Sequence, residues 1–250
     1  MVLSIDLAGR VVLVTGGQRG IGRGISAAFV AAGADVVTCG RSEVGEPLPG
    51  TTHEQCDVRD PDAVQRLVDG IVAKSGRLDV LVNNAGGAPV TDAATASPRF
   101  HDKIIGLNLN APLLVAQVAN RVMQQQESGG SIVNISSISA HRAAPTIAAY
   151  AAAKAGLDSL TKSLAMEWGS KVRVNAVDVG LCRTEQTDDH YGSDDRVSKI
   201  EATIPLGRMA RPDEVGNVAV FLASDLASYV SGAAVSCDGG GEPPVFLHIT

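Results

Sequence analysis

Three residues near the middle of the chain have the types and spacing for proton chemistry. Ser137 is followed thirteen positions on by Tyr150, and Lys154 stands four beyond that, within SISAHRAAPTIAAYAAAK. Four residues is about one helical turn, so the tyrosine and lysine should share a helix face with Cβ atoms about 5–6 Å apart. A phenol with a pKa of about 10 is a poor acid or base at neutral pH. An ammonium beside it favours the phenolate and lowers that pKa. The serine hydroxyl can then hold a substrate oxygen where the tyrosine exchanges a proton with it. A bare Tyr-x-x-x-Lys on an alanine-rich helix is also an ordinary surface pattern. The elements around it have to decide.

Upstream, Val11 to Val14 is a short β-branched run entering TGGQRGIG, residues 15–22, and Ile21, Ile25, Phe29 and Ala32 then recur at helical spacing. Strand, glycine-rich turn and helix form the context a phosphate-binding unit requires. Gly16 permits the sharp turn, Gly20 a close backbone approach to a pyrophosphate, and Gly22 tight helix–strand packing. The free N–H groups and dipole at the helix start then face the anion. The second strand, Asp35 to Cys39, runs into Gly40-Arg41-Ser42. An acid near this strand end binds a ribose 2′-hydroxyl, whereas arginine accommodates a 2′-phosphate. Gly40 takes the acidic position, Arg41 follows it, and Arg19 in the glycine turn is a second cation with a planar fork suited to phosphate. The expectation is NADP(H) in preference to NAD(H).

Pro47, Pro49 and Gly50 leave no room for a full helix before the third strand, Thr51 to Gln55. Asp57 beyond it can accept from an adenine amino group or cap the next loop. Asp60-Pro61 opens a helix with Val64, Leu67, Val68, Ile71 and Val72 on its core face. Leu78 to Val82, the fourth strand, leads into Asn83-Asn84-Ala85-Gly86-Gly87, at a distance that suits the strand end lining a cofactor crevice. Ser97 to Gln126 is predicted as one long helix. Asn108 is disfavoured inside it, and Pro112 removes a hydrogen bond and kinks it. Such a kink frees a main-chain carbonyl near Asn108 to hold a water, or leaves Asn108 as a buried structural residue. Ser131 to Ile135 is the fifth strand, delivering Ser136 and Ser137 to its carboxyl end, and Val172 to Val177 is the sixth. The polar stretch through Ile204, with Asp188, Asp189, His190, Asp194 and Asp195, is read as a lid over the substrate at about 183–204 and not as a metal site. No metal is expected anywhere. Pro212 to Ala223 is a helix and Ala233 to Cys237 the last strand, followed by GGGEPPVFLHIT, whose apolar end needs a cover such as a neighbouring subunit.

Composition narrows the partners. The 250 residues are 45% apolar and carry 21 basic against 27 acidic side chains, a net charge of −6 with no like-charge block. That balance disfavours a nucleic-acid groove or an anionic-membrane patch. Cys39, Cys56, Cys182 and Cys237 are scattered, fitting free thiols in a reducing compartment. MVLSIDLAGR has an early acid and no basic region, so no signal peptide is expected. Ile104 to Asn120 is too polar to span a membrane. A soluble cytoplasmic protein without linker or internal repeat follows.

Assembled, these residues resemble the short-chain dehydrogenase/reductase family over nearly the whole chain. The matching segments are residues 15–22, Cys56-Asp57-Val58, residues 83–87, the serines of NISS at 134–137, Tyr150 to Lys154 and NAVDVGLCRT at 175–184. The resemblance implies one α/β domain over 1–250, a three-layer Rossmann-type doubly wound sheet of seven parallel strands in order 3-2-1-4-5-6-7. It implies that Ser137 positions the substrate oxygen, Tyr150 is the general acid/base, Lys154 lowers the tyrosine pKa and binds the nicotinamide ribose, and Asn108 holds a proton-relay water. Asn108 is chosen over Asn110 by the Asn-Leu pair, and Ser137 over Ser136 by spacing. Cofactor contacts fall on Gly16, Gln18, Arg19, Gly20, Ile21, Gly22, Arg41, Asp57, Val58, Asn84, Ala85, Gly86, Gly180 and Thr184, with Tyr150 and Lys154. A homotetramer or homodimer is implied as well.

Two departures stand out. Val179 replaces the proline that usually precedes Gly180, which should loosen the turn leading to Thr184. Asp178 beside it is also unusual and is expected to touch substrate or a neighbouring subunit. The short segment after Arg41 is the second departure, and it lies away from the chemistry. The reaction expected is reversible hydride transfer between NADP(H) and a small-molecule carbonyl or secondary alcohol, in a pocket lined by His141 to Ala144, Leu181 and the lid. A 3-oxoacyl-[acyl-carrier-protein] reductase is the alternative. The uncharged or acidic Gln124-Gln125-Gln126-Glu127 and the net charge argue against docking an acidic carrier. A catalytically silent NADP-binding regulatory protein is the rival from another class, and it would be expected to lose Ser137, Tyr150 or Lys154.

Overall fold

Val11–Thr15 forms β1, and all five residues are buried, as a parallel strand covered on both faces requires. The computed structural model describes residues 5–185, 187 and 192–241. In it β1 lies between β2 (Asp35–Gly40) and β4 (Val80–Asn83), with β3 (Thr51–Gln55) at the edge. β5 (Gly130–Ser137), β6 (Val172–Val179) and β7 (Ala234–Cys237) extend the sheet the other way. The seven strands are parallel in the order 3-2-1-4-5-6-7, as the sequence implies. Polar residues of β3 sit half-buried or exposed, in keeping with its edge position.

The helices described are α1 (Gly20–Ala31), α2 (Pro61–Ser75), α3 (Pro98–Ile105), α4 (Ala111–Gln125), α5 (Ala148–Trp168), α6 (Asp194–Glu201) and α7 (Pro212–Ala223). Side chains alternate across the sheet, so β1 feeds two cores. Val11 and Leu13 join Val64, Val68 and Ile71 of α2 and Val115, Ala119 and Met123 of α4. Val12 and Val14 join Ile25 and Phe29 of α1 and Val215, Ala219 and Leu222 of α7. The Asp60 side chain accepts from the amides of Asp62 and Ala63, and Pro61 occupies the first turn, so α2 begins where its sequence places it.

Several boundaries move. β4 begins at Val80, because Leu78 is held outside the ladder by the Gln126 side chain, which bonds both its N–H and its carbonyl. β5 and β6 run on through Ser137 and Val179, so Ser136 and Ser137 are both strand residues. The long helix predicted over 97–126 is interrupted by a π turn at Gly106–Asn110, since Pro112 cannot donate the bond a regular helix needs. The polar lid is not all loop: Ser193 precedes α6, whose Val197 packs with Ile204, Met209 and Leu181. Asp188, Asp189 and His190 lie outside the described residues, as do Glu242 to Thr250 of the tail. No described helix is long and apolar enough to cross a membrane.

Candidate active site

The carboxyl ends of β1 and β4 are fastened to each other. Thr15 Oγ1 accepts from the amides of Asn84 and Ala85, each at 2.9 Å, and Asn84 Nδ2 donates to the Thr15 carbonyl at 2.8 Å. This pins the glycine turn that opens α1. A side chain at Gly22 would place Cβ 2.2 Å from the Gly16 carbonyl oxygen, so only glycine lets helix and strand approach this closely. The Gly20 amide, at the first turn of α1, donates to a carboxylate oxygen of Glu185 at 2.8 Å. That carboxylate stands in for a phosphate oxygen: the helix start binds an anion, so these residues fit a nucleotide pyrophosphate. Thr184 lies alongside, its methyl 3.8 Å from where a Gly20 Cβ would stand.

Other predicted contact residues are placed less directly. The Gln18 side chain turns into the protein, donating to Thr38 and Thr51 and accepting from the Leu48 amide, so it holds the β2–β3 connection instead of facing the crevice. Val58 is buried against α2, and Ile21 is partly buried in the other core. Asp57 is bound by Arg59 through Nε at 2.9 Å and Nη2 at 2.6 Å, and this hydrogen-bonded guanidinium holds its carboxyl below the usual range. An adenine amino group would have to share those oxygens. Arg19 and Arg41 are both exposed, Arg19 just before α1 and Arg41 just after the end of β2 at Gly40.

The π turn positions Asn108. Its side chain is completely buried, donates to the carbonyls of Gly87 at 3.0 Å and Ile104 at 2.9 Å, and accepts from the Gly87 amide at 2.8 Å. Both donors and the acceptor are thus used within the protein, which leaves its main chain for any water relay. A side chain on Gly86 would stand 2.7 Å from Asn108 Oδ1 and 3.5 Å from Lys154 Nζ. Glycine there lets Asn108, Lys154 and the β4 loop converge.

Ser137 ends β5, buried, with Oγ accepting from the Ser139 amide at 3.2 Å. Tyr150 and Lys154 lie one turn apart on α5 as the spacing requires, with Lys154 Nζ 5.5 Å from the centre of the tyrosine ring. Lys154 is only 4% exposed and donates to the Ile135 carbonyl at 2.7 Å. Burial lowers its pKa to about 8, opposed by the charges of Asp158 and Asp178. It remains mostly ammonium at neutral pH. The three residues that the sequence singled out therefore meet at the carboxyl edge of the sheet, beside Asn108 and the phosphate turn.

A buried polar chain behind them escaped the sequence reading. Asn83 Nδ2 donates to the Pro112 carbonyl at 3.1 Å and to Asn134 Oδ1 at 2.9 Å, and Asn134 Nδ2 donates to Thr161 Oγ1 at 2.9 Å. It ties β4 and β5 to α4 and α5 at the level of the site. An asparagine in the otherwise apolar middle of β5 was the available signal, since a buried amide requires partners.

One expectation is overturned nearby. Asp178 reaches neither solvent nor a surface: it is 2% exposed and faces His141, with Oδ2 2.6 Å from Nε2. At the position of the missing proline, Val179 continues β6 in register with β5 and β7, and Gly180 N–H donates to the Cys237 carbonyl at 3.0 Å, so the chain is held as far as Gly180. The segment 124–127, whose lack of cations argued against docking an acidic carrier, does not border this site. It leads into the amino end of β5, at the opposite end of the sheet. A cavity of about 550 Å³ opens at that end, lined by Arg10, Asp79, Lys171 and Arg173 among others. Its charged groups are already engaged, Arg10 with Asp79 at 3.4 Å and Arg173 with the carbonyls of Leu222 and Val230.

Comparison with known proteins agrees with this arrangement. The family model described as enoyl-(acyl carrier protein) reductase matches residues 16–242. The chain is 35% identical to a 2-dehydro-3-deoxy-D-gluconate 5-dehydrogenase of Pseudoalteromonas atlantica, over 96% of this chain and 98% of that one. It belongs to the short-chain dehydrogenase/reductase family. Within that family it is also 36% identical to a D-threitol dehydrogenase of Mycolicibacterium smegmatis, covering 95% of this chain and 96% of the relative. The crystal structure of Thermoplasma acidophilum aldohexose dehydrogenase superposes with a TM-score of 0.89 at 33% identity, over 95% of this chain and 96% of that one. As a short-chain dehydrogenase/reductase this protein is an oxidoreductase of a family that uses nicotinamide cofactors and acts on alcohols.

Proposed function

We propose that this protein interconverts a carbonyl and a secondary alcohol on a free small molecule, with NADP(H) preferred over NAD(H). The observation that carries the reaction is the buried Lys154 ammonium one turn below Tyr150, at the sheet end where Ser137 and the phosphate turn also lie. When bound, the nicotinamide supplies or takes up hydride. In reduction Tyr150 gives its phenolic proton to the substrate oxygen, and in oxidation it removes the proton from the hydroxyl. Ser137 donates a hydrogen bond to that same oxygen. Lys154 stabilises the phenolate left behind and offers its remaining N–H groups to a ribose. Asn108 holds Gly87 and thereby the floor of the nicotinamide site. Residues 183–204, which include α6, serve as a lid over the substrate.

Polyols and sugar acids are the substrate class we favour, because the relatives named above act on such compounds. A screen of free polyols, aldonic acids and ketones, followed by nicotinamide absorbance, tests the reading; no turnover of any of them would sink it. Met166 on α5 and Tyr229 beyond α7 are exposed apolar side chains that suit a homo-oligomer of the kind the family resemblance implies.

The coenzyme preference rests on Gly40 at the β2 end with Arg41 and Arg19 beside it. Hydrogen bonds to charged groups contribute about 1.5–3 kcal/mol. Arg41→Asp is therefore expected to weaken NADPH about ten- to a hundredfold and to leave NADH binding equal or tighter. Fluorescence titration of both coenzymes measures this, and equal affinities in the parent protein would undo the assignment. Glu185 competes for the Gly20 amide that a pyrophosphate needs. A charge at a helix start is worth about 0.3–1 kcal/mol, so Glu185→Gln should tighten NADPH by about two- to fivefold at low salt, with the gain shrinking as salt rises.

A further inference from the structure

Folding brings together three side chains far apart in sequence, His141, Asp158 and Asp178. Asp158 lies on α5 one turn beyond Lys154, Asp178 on β6 opposite Ser136 of β5, and His141 just after the short 3-10 turn that follows β5. His141 Nε2 is 2.6 Å from Asp178 Oδ2 and 3.2 Å from Asp158 Oδ2. One nitrogen and two carboxylate oxygens fall within 4.8 Å of one another. The aspartate side chains are 6% and 2% exposed, while the imidazole at 56% opens the cluster to solvent.

The acids are poorly satisfied. Both oxygens of Asp158 and Oδ1 of Asp178 have no hydrogen-bond partner. Burial raises the Asp158 pKa, opposed in part by Ser136, whose hydroxyl also donates to the Lys154 carbonyl at 3.4 Å, and by the charges of His141 and Lys154. Lys154, a buried cation of this region, donates to the Ile135 carbonyl and acts on the two carboxylates through its charge. Two buried carboxylates held by one imidazole are costly unless a further positive charge coordinates them.

We propose that His141, Asp158 and Asp178 form a binding site for one divalent transition-metal ion, with water completing its coordination. Imidazole nitrogen with carboxylate oxygens is a donor set that suits Zn²⁺, and Mn²⁺ also accepts the carboxylates. Tetrahedral bonds of about 2.0–2.2 Å to such an ion put neighbouring ligand atoms about 3.3–3.6 Å apart, so His141 and Asp158 at 3.2 Å are near that spacing while His141 and Asp178 at 2.6 Å would move apart on binding. In the Nδ1–H tautomer Nε2 presents its lone pair, and the ion takes the place of the proton between it and Asp178. Three ligands leave room for water on the side where His141 meets solvent. The ion would clamp the segment just after Ser137, helix α5 with Tyr150 and Lys154, and the end of β6 just before Gly180. The site is thus a structural clamp beside the proposed chemistry, and its existence does not depend on that reaction. The sequence gives no hint of it, because the ligands are 17 and 20 residues apart on three different elements.

The test uses the full-length protein stripped with a chelator and titrated calorimetrically with ZnCl₂ and, separately, MnCl₂, alongside melting curves. The expected result is one ion per chain and a melting temperature raised by several degrees, with His141→Ala and Asp158→Asn each weakening binding at least tenfold. His141 is at the surface, so His141→Ala should fold; circular dichroism and gel filtration check that. If the two carboxylates are held by a shared proton instead, neither salt binds and chelation leaves the melting temperature unchanged, which overturns the proposal. Binding of equal strength in both variants would also overturn it, by placing the ion elsewhere.

Discussion

Tyr150→Phe is expected to lower turnover about 10²–10⁴-fold in both directions, the range general acid–base catalysis supplies, while NADPH binding changes less than about twofold. The change removes one oxygen and keeps the ring that lies beside Lys154 Nζ. Packing at the start of α5 should therefore survive, and far-ultraviolet circular dichroism with coenzyme fluorescence titration checks both. The loss should fall on kcat more than on KM, because in the proposed mechanism Ser137 still holds the substrate oxygen when the phenol is gone. Near-normal turnover in the variant, on every substrate that the parent uses, would remove Tyr150 from the mechanism.

Lys154→Met should have an effect of comparable size, and it carries a sign that a purely structural lysine would not show. Removing a preorganised charge from the phenolate is expected to cost turnover at least about 10²-fold, the scale seen when a fixed electrostatic donor is deleted. Stability should move the other way at alkaline pH. Burial places the folded-state pKa of Lys154 at about 8, below the ordinary 10.5. Below pH 8 the ammonium is present in both folded and unfolded chains, and its desolvation penalty is fully felt. Between about pH 8 and 10.5 the unfolded chain still binds the proton that the folded chain has released, so stability rises with pH. The span between the two pKa values corresponds to about 3 kcal/mol. Urea midpoints of the cofactor-free protein, measured from pH 7 to 10.5, should climb relative to those of Lys154→Met. Parallel curves would show that Lys154 is not a desolvated cation. Loss of the bond to the Ile135 carbonyl costs the variant about 1 kcal/mol at all pH values, which offsets the curves without changing their slopes.

Much of the site was legible because local rules place it. The glycines after β1, the Asp60-Pro61 start of α2 and the one-turn spacing of Tyr150 and Lys154 each depend on residues close in sequence. The alternation of Val11 to Val14 between two faces is equally local. Parallel strands covered on both sides need continuous β-branched runs, so strand number and order followed from hydrophobic pattern and family resemblance together. Boundaries were less legible. Whether Leu78 joins the ladder depends on Gln126, 48 residues away, and whether Ser137 is strand or loop depends on its pairing with Val179.

The sequence alone determined which residues could exchange a proton, where an anion could meet a helix start, and that Asn108 and Pro112 would disturb the long helix. Only the tertiary structure decided what those residues touch. It spends Asn108 on Gly87, turns Gln18 inward, sets Glu185 on the Gly20 amide and engages Asp57 with Arg59. It also draws Asp178 from a presumed surface into a buried cluster with Asp158 and His141. The physical reason is the same in each case. Residue type and spacing fix what a side chain can do within a turn or a strand, whereas burial and partners are set by segments that meet only when the layers pack.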